Sequence, residues 1–260
     1  MPAQTVADAR AFVQHVDLPA PPPEPLVQAR SASTFDFDGA REQAAVVGSD
    51  VISFVKGITP EQREDLVNAS MLAQLVATKK FPDPTDLAGV LAWYDEYFEV
   101  LSHVGFVIQE KGFAEYTEGG ETFEAHEAIL DVAKVVLAGA PGALAVVTKT
   151  LESLKKMSDD SPWITIFHRE SRTAHTARFQ VSLAEADEHA GLLVTLMAFG
   201  VEAESKVTQV LFFKFRKHAA TLHHHSGKVT INATVLAGVR DDIAKKLSGF
   251  ASTFVAGLEI

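Results

Sequence analysis

The sequence predicts an α+β fold, with N-terminal helices packed on a C-terminal antiparallel β-sheet and a helix near the C-terminus. Three observations lead there. Apolar residues recur at helical spacing through most of the first half, the period changes to two after Pro162, and one run, Leu192 to Phe199, is apolar on both faces. A strand of that last kind has to be covered from both sides, which puts helices over the sheet.

Residues 1–37 combine small side chains with PAPPPEP, Pro19 to Pro25, and are expected to form a flexible Pro-rich arm. Residues 38–260 are expected to form a single α+β domain, helical over 38–160 and sheet-forming over 161–260. Asp38 is placed to cap a helix running to Phe54 or Val55, with Gly57 as its stop. Thr59-Pro60-Glu61-Gln62 has the capping-box form, and the apolar series Leu66, Met71, Leu72 and Leu75 predicts a helix over about 60–79. Beyond the breaker Phe81-Pro82-Asp83-Pro84, Thr85 caps a long helix that carries Leu87, Leu91, Tyr94, Phe98, Leu101, Val104 and Ile108.

Glu115, Glu118, Glu121, Glu124 and Glu127 recur at steps of three and read as a solvated helix start, favourable to the helix dipole. The stretch from Ala128 to Leu151 is the most apolar of the first half. Asp131 and Lys134 lie inside it and Gly139-Ala140-Pro141-Gly142 interrupts it, so it reads as a helical hairpin, 122–138 and 141–157, and not as a membrane span. The runs WITIFH (163–168), ARFQVSL (177–183), GLLVTLMAFGVEA (191–203), TQVLFFKFR (208–216) and KVTIN (228–232) read as strands. A closing helix carries Leu236, Val239, Ile243, Leu247, Phe250 and Phe254 on one stripe.

Composition is that of a folded protein with a substantial core: 260 residues, 47% hydrophobic and 22% charged. The net charge of -11 is uneven, because residues 161–260 carry 11 Lys/Arg against 9 Asp/Glu and residues 1–160 carry 12 against 25. That balance argues against a nucleic-acid partner. The lack of cysteine removes disulfides, thiolate ligands, thiol nucleophiles and cysteine lipidation together. No secretory signal pattern opens the chain, so a classical signal peptide is not expected, which leaves release by a specialised route open. No GxSxG elbow, phosphate loop, dinucleotide fingerprint or EF-hand loop is present, and no cofactor is expected.

The candidate sites are local. In TLHHHSGKVTIN, Thr221 to Asn232, a Ser226-Gly227 hairpin turn would set His223 and His225 on one face and His224 on the other, so two imidazoles at most converge on a metal ion. A polar hairpin is the simpler reading. His168 and His175 frame HRESRTAH, which offers acid, base and guanidinium groups for a carboxylate or phosphate, or for catalysis, against the commoner case of a charged connection between strands. Glu124 to Asp131 holds a His-Glu pair without the second His of a zinc protease. Lys214, Arg216, Lys217, His218 and Lys228 lie beside apolar residues, a pairing that suits anionic headgroups or a fatty carboxylate as well as an ordinary amphipathic strand.

A Pro-rich leader, N-terminal helices, the apolar hairpin AILDVAKVVLAGAPGALAVV and the sheet segment VLFFKFRKHAATLHHHSGKVTIN together give a layout over residues 38–260. This layout resembles the bacterial virulence proteins related to the palmitoylated Evf factor and, more distantly, the Cyt-type cytolysins. The resemblance implies a virulence or insecticidal-type protein whose helices cover a sheet and which acts at membranes or on a lipid-like ligand. Acylation in Evf requires a cysteine, so here only noncovalent lipid binding remains. A soluble fatty-acid-binding protein and a hydrolase or metal enzyme built on the histidines are the alternatives.

Overall fold

The computed structural model describes residues 5–21, 36–108, 112–117, 122–158, 160–173, 175–187, 191–204, 207, 210–211, 214–216, 219–250 and 254–260. A mostly antiparallel eight-stranded sheet forms the middle of three layers. Its strands are β1 (Gln43–Val47), β2 (Asp50–Phe54), β3 (Phe106–Val107), β4 (Ala114–Glu115), β6 (Thr176–Asp187), β7 (Gly191–Ala203), β9 (Ala220–Ile231) and β10 (Val255–Glu259). They lie in the order β10-β1-β2-β6-β7-β9-β3, with β4 also on β9, and only the β2–β6 neighbours are parallel. A separate two-stranded sheet joins β5 (Thr122–Glu124) to β8 (Lys214–Arg216).

Helices α1 (Val6–His15), α2 (Pro60–Lys80), α3 (Leu87–His103) and α7 (Ala233–Leu247) occupy one side. Helices α4 (Ala125–Val136), α5 (Pro141–Lys155) and α6 (Pro162–Ser171) occupy the other. Strand alternation divides the side chains between them. Leu192, Val194, Leu196 and Ala198 of β7 enter the first core, while Met197, Phe199 and Val201 enter the second. The two-sided cover expected from the apolar run is therefore present.

The capping box at Thr59 is formed, with Thr59 Oγ1 accepting from Gln62 N and Gln62 Oε1 accepting from Thr59 N, and α2 runs from Pro60 as expected. Asp86, not Thr85, caps α3, and the chain leaves the helix at Val104, so Ile108 falls beyond strand β3.

Several elements differ from expectation. Residues 43–54 form the β1–β2 hairpin where the sequence suggested a helix. Both strands are buried on both faces, so no polar alternation marks them, and the Ala residues imitate helix. The turn is Gly48-Ser49, with Gly48 at φ 55. A side chain there would strike Phe254 and Gln74 within 2.5 Å, so the position needs glycine for conformation and for space. WITIFH is not a strand but the body of α6: Ser161 caps it and Pro162 sits in its first turn. Of 208–216, Lys214–Arg216 forms a strand, while Thr208, Gln209, Phe212 and Phe213 lie outside the described residues. Only the end of the acidic run is a helix start: Glu124 closes β5 and is the N-cap of α4, and Glu127 lies in the first turn of α4, whereas Glu115 is in β4; Glu118 and Glu121 lie outside the described residues. The stripe of the last helix ends at Leu247; Phe250 and Phe254 are buried past its end, before edge strand β10 pairs with β1.

Within the expected arm, residues 6–15 form α1, whose Ala9 and Val13 are buried against α7 and α3. Gly238 of α7 makes room for it, because a Cβ at that position would lie 2.6 Å from Val6. Pro22, Pro23 and Pro25 lie outside the described residues.

A polar seam runs through the first core. Ser70, Gln74 and Thr78 stand at four-residue steps on α2, and Ser182, Gln180 and Arg178 at two-residue steps on β6. Both spacings are about 6–7 Å, so the two rows meet rung by rung. Asp50 bridges Ser70 and Ser182, Ser49 Oγ lies 3.0 Å from both Gln74 Oε1 and Gln180 Oε1, and Arg178 Nη2 donates to Thr78 Oγ1 at 3.3 Å. Gln74 also satisfies the buried turn, accepting from Ser49 N at 2.8 Å and donating to Val47 O at 2.7 Å.

Candidate functional site

The α4–α5 hairpin has an uncharged connection, Leu137 to Ala140, between two apolar helix faces. Ala125, Ala128, Ile129, Val132 and Ala133 of α4 and Ala143, Val146, Val147, Leu151 and Leu154 of α5 face the sheet and are buried. The opposite faces carry Glu127, Asp131, Lys134, Lys149, Glu152 and Lys155. Between Lys134 and Lys149 the chain has no charge, and the tip exposes Val135, Ala138, Gly139, Pro141, Gly142 and Ala145. Val135 is 76% exposed, one of two exposed large apolar residues among those described.

The polar bonds from this hairpin to the rest of the fold include one buried tie and two at the surface. Ser53 Oγ of β2 and Thr150 Oγ1 of α5 meet at 2.9 Å in the core. At the surface Tyr116 donates to Asp131 at 2.9 Å, and Lys149 pairs with Glu42 at 3.2 Å. The Lys134–Asp131 pair, which lowers the Asp131 pKa, lies within α4 and ties it to nothing else.

Helices of 12 and 15 residues measure about 18 and 22 Å, short of the roughly 30 Å hydrocarbon layer. No helix among the described residues is long and apolar enough to cross a membrane. An apolar tip on two amphipathic helices suits the headgroup boundary instead.

The histidine run is not a hairpin tip. β9 continues through Ser226 and Gly227, which pair with Met197 and Leu196, and β4 pairs with His223 and His224 on its other side. The turn reading failed because Ser-Gly is here part of a strand matched along its length by β7. The alternation holds nonetheless. His225 packs on Phe98 and Phe113 and its Nδ1 lies 2.9 Å from Gly112 O, while His224 faces Tyr116 and Phe199 on the opposite side. Burial, then the neighbouring imidazoles, lower the His224 pKa, so it stays neutral near pH 7.

Among the described residues the histidines of β9 do not join a three-ligand cluster. The group that does is Glu124, His126 and Glu127, whose ligand atoms lie within 4.8 Å of one another. His126 Nδ1 is 3.2 Å from Glu124, but Lys155 Nζ stands 3.3 Å from Nε2, a poor neighbour for a second cation. His168 lies in the last turn of α6, and exposed His175 lies before β6. Arg169 is taken up by Glu170 at 2.6 Å.

Of the basic group read from the sequence, Lys228 is exposed on β9 opposite Thr195. Lys214 and Arg216 lie in β8, opposite Glu124 and Thr122, and Lys217 and His218 lie outside the described residues. A void of about 10 Å³ lies between α2, α3 and the sheet, beside Asp50. It has room for about one water.

Sequence reasoning found the hairpin but missed Asp50 and its seam. The available signal was the row Ser70, Gln74, Thr78, which lies on the buried side of α2.

No protein-family model and no curated protein matches the chain. Among solved structures, a delta-endotoxin aligns over 75% of this chain and 90% of its own, at 18% identity and a TM-score of 0.37. The Evf virulence factor aligns over 77% and 82%, at 13% identity and a TM-score of 0.35. Both are weak likenesses of fold, the second to the virulence factor whose relatives the sequence layout resembles.

Proposed function

We propose that the chain is a membrane-acting protein of the toxin-like or virulence type, and that the α4–α5 hairpin is the part that engages lipid. The observation carrying this reading is the uncharged tip from Val135 to Thr148, with Val135 exposed, between two amphipathic helices that pack on the sheet by small apolar side chains. In water those side chains are sheltered by the sheet. At a bilayer surface the same faces have a second apolar medium, so the hairpin can exchange one for the other at modest net cost. Exposed Lys228 would add attraction to anionic lipid.

The test uses the cysteine-free background. Ser53→Cys with Thr150→Cys places two thiols where hydroxyls now meet at 2.9 Å, so oxidation fastens α5 to β2. Dye release from anionic liposomes is expected from the wild type and from the reduced double variant, and is expected to be lost in the oxidised form and restored by reductant. Equal release from the oxidised form, or no release by the wild type from anionic or neutral vesicles at any pH, defeats the reading.

A further inference from the structure

Asp50 opens β2 with its side chain in the core between the sheet and helices α2 and α3, and it is 1% exposed. Ser70 Oγ donates to Oδ2 at 2.9 Å, Ser182 Oγ lies 3.0 Å from Oδ1, and the Tyr97 hydroxyl also bonds the carboxyl. The same three hydroxyl residues and Asp50 line the void of about 10 Å³, whose other walls are apolar, among them Ile52, Leu66, Phe106 and Leu196.

Among the described residues, the groups around the carboxyl supply no positive charge. Ser70 and Gln74 face it from α2, Tyr97 and Tyr94 from α3, Ser182 and Gln180 from β6, and apolar side chains from β3 and β7. Burial pushes both tyrosines above their usual pKa and keeps them neutral. Arg178, on the same face of β6 but two rungs along the seam, is held over the Trp93 ring and against Thr78. Among the described residues the carboxyl therefore has hydrogen-bond donors and no counter-charge, and burial outweighs the hydroxyls, raising its pKa from 3.8 to about 6.

We infer that Asp50 is a proton-operated latch in the seam: with the carboxyl protonated the α2–α3 layer closes on the sheet, and on ionisation that layer loosens. The inference is independent of the membrane reading, whose hairpin lies on the other side of the sheet.

The direction follows from linkage. Below pH 3.8 the group is protonated in the folded and unfolded chain alike. Between 3.8 and about 6 the folded state binds the extra proton, so stability falls as pH rises through that window, and above it the full penalty persists. Raising the carboxyl from 3.8 to about 6 corresponds, over the whole window, to roughly a hundredfold in the folding constant. The seam localises the effect, because its rungs are hydrogen bonds that water can replace once the layers part.

Asp50→Asn keeps the shape and removes the charge. Urea unfolding at about pH 4.5 and about pH 7.5 is expected to show the wild-type folding constant falling by roughly 30-fold relative to the variant's. Hydrogen exchange, corrected for the intrinsic pH dependence, is expected to speed up at residues 70–77 of α2 more than in α5, and only in the wild type. Parallel pH profiles for the two proteins overturn the latch, as does loosening spread evenly over both helical layers. If the variant does not fold, the side-chain carboxyl carbon resonance of Asp50 in the wild type decides: titration near pH 6 supports the latch and titration below about 4.5 overturns it.

Discussion

Two buried arginines show how one side chain can be structural in one place and under-satisfied in another. Arg63 is fully buried, yet its Nε donates to Ile58 O at 3.1 Å, Nη1 to Gln43 Oε1 at 2.7 Å, and Nη2 to Arg41 O at 2.8 Å and Val55 O at 3.2 Å. It lies over the Phe54 ring, and burial lowers its pKa from a value high enough that the charge remains. Arg178 has the Trp93 ring and one 3.3 Å bond, and its Nε has no hydrogen-bond partner among the described residues. Arg63→Met removes the donors while leaving their acceptors buried, and is expected to cost about 3 kcal/mol or more. A fall in the urea midpoint with an unchanged slope checks this; a shift worth under about 1 kcal/mol contradicts it. Of these residues the sequence displays the identity but not the burial. Arg63 reads as a surface residue in the first turn of a helix, because the carbonyls that accept from it come from the β1–β2 hairpin and the loops beside it, and their convergence is a tertiary fact. The opposite facing of His224 to His223 and His225, in contrast, was legible, since alternation along a strand holds whichever strand it is.

At the scale of elements, legibility followed the presence of an amphipathic signal. Helix α2 was placed by its capping box, and the α4–α5 hairpin by Gly139 and Pro141 between two apolar runs. The β1–β2 hairpin was not, because strands buried on both faces lose the polar-apolar alternation that separates strand from helix. Its remaining signs were the β-branched Val46, Val47, Val51 and Ile52 on either side of Gly48-Ser49. In α6 the run WITIFH has strand-like residues, and the Ser161-Pro162 start outweighs them; Ile164, Phe167 and Ser171 then fall on one buried face. The hairpin read correctly is also the element that can be tested by a single exposed substitution. Val135→Glu is expected to leave stability within about 0.5 kcal/mol, since the side chain is 76% exposed. It is expected to weaken lipid action about tenfold, because a charge must then enter the headgroup boundary. Dye release and thermal unfolding measured on the same preparation separate the two effects; undiminished release would remove Val135 from the contact surface.

Across the whole molecule the two helical layers are attached to one sheet by different physics. On the α2–α3 side, rungs of hydrogen bonds run along the seam, Tyr94 Oη lies 2.9 Å from Phe179 O and 2.8 Å from Phe199 O, and α7 adds the paired bonds of Arg240 to Asp65 at 2.7 Å. Such polar contacts fix register, because a slip of one rung leaves every partner unmet. On the α4–α5 side, contact is made by alanines and aliphatic chains, with the Ser53–Thr150 bond as the buried polar tie and exposed pairs that contribute little. Apolar contacts of this kind tolerate sliding and have no rung to lose. The expectation is that native-state exchange at neutral pH finds α4 and α5 opening at a lower free energy than β6, β7 and β9, which have paired neighbours on both sides. Thr150→Val should lower the opening energy of α5 by about 1–2 kcal/mol, since it leaves the Ser53 hydroxyl buried without its acceptor. Exchange in α4 and α5 as slow as in the central strands, and unmoved by Thr150→Val, would mean that the hairpin leaves the sheet only when the whole chain unfolds, and a hairpin so held could not exchange the sheet for a bilayer.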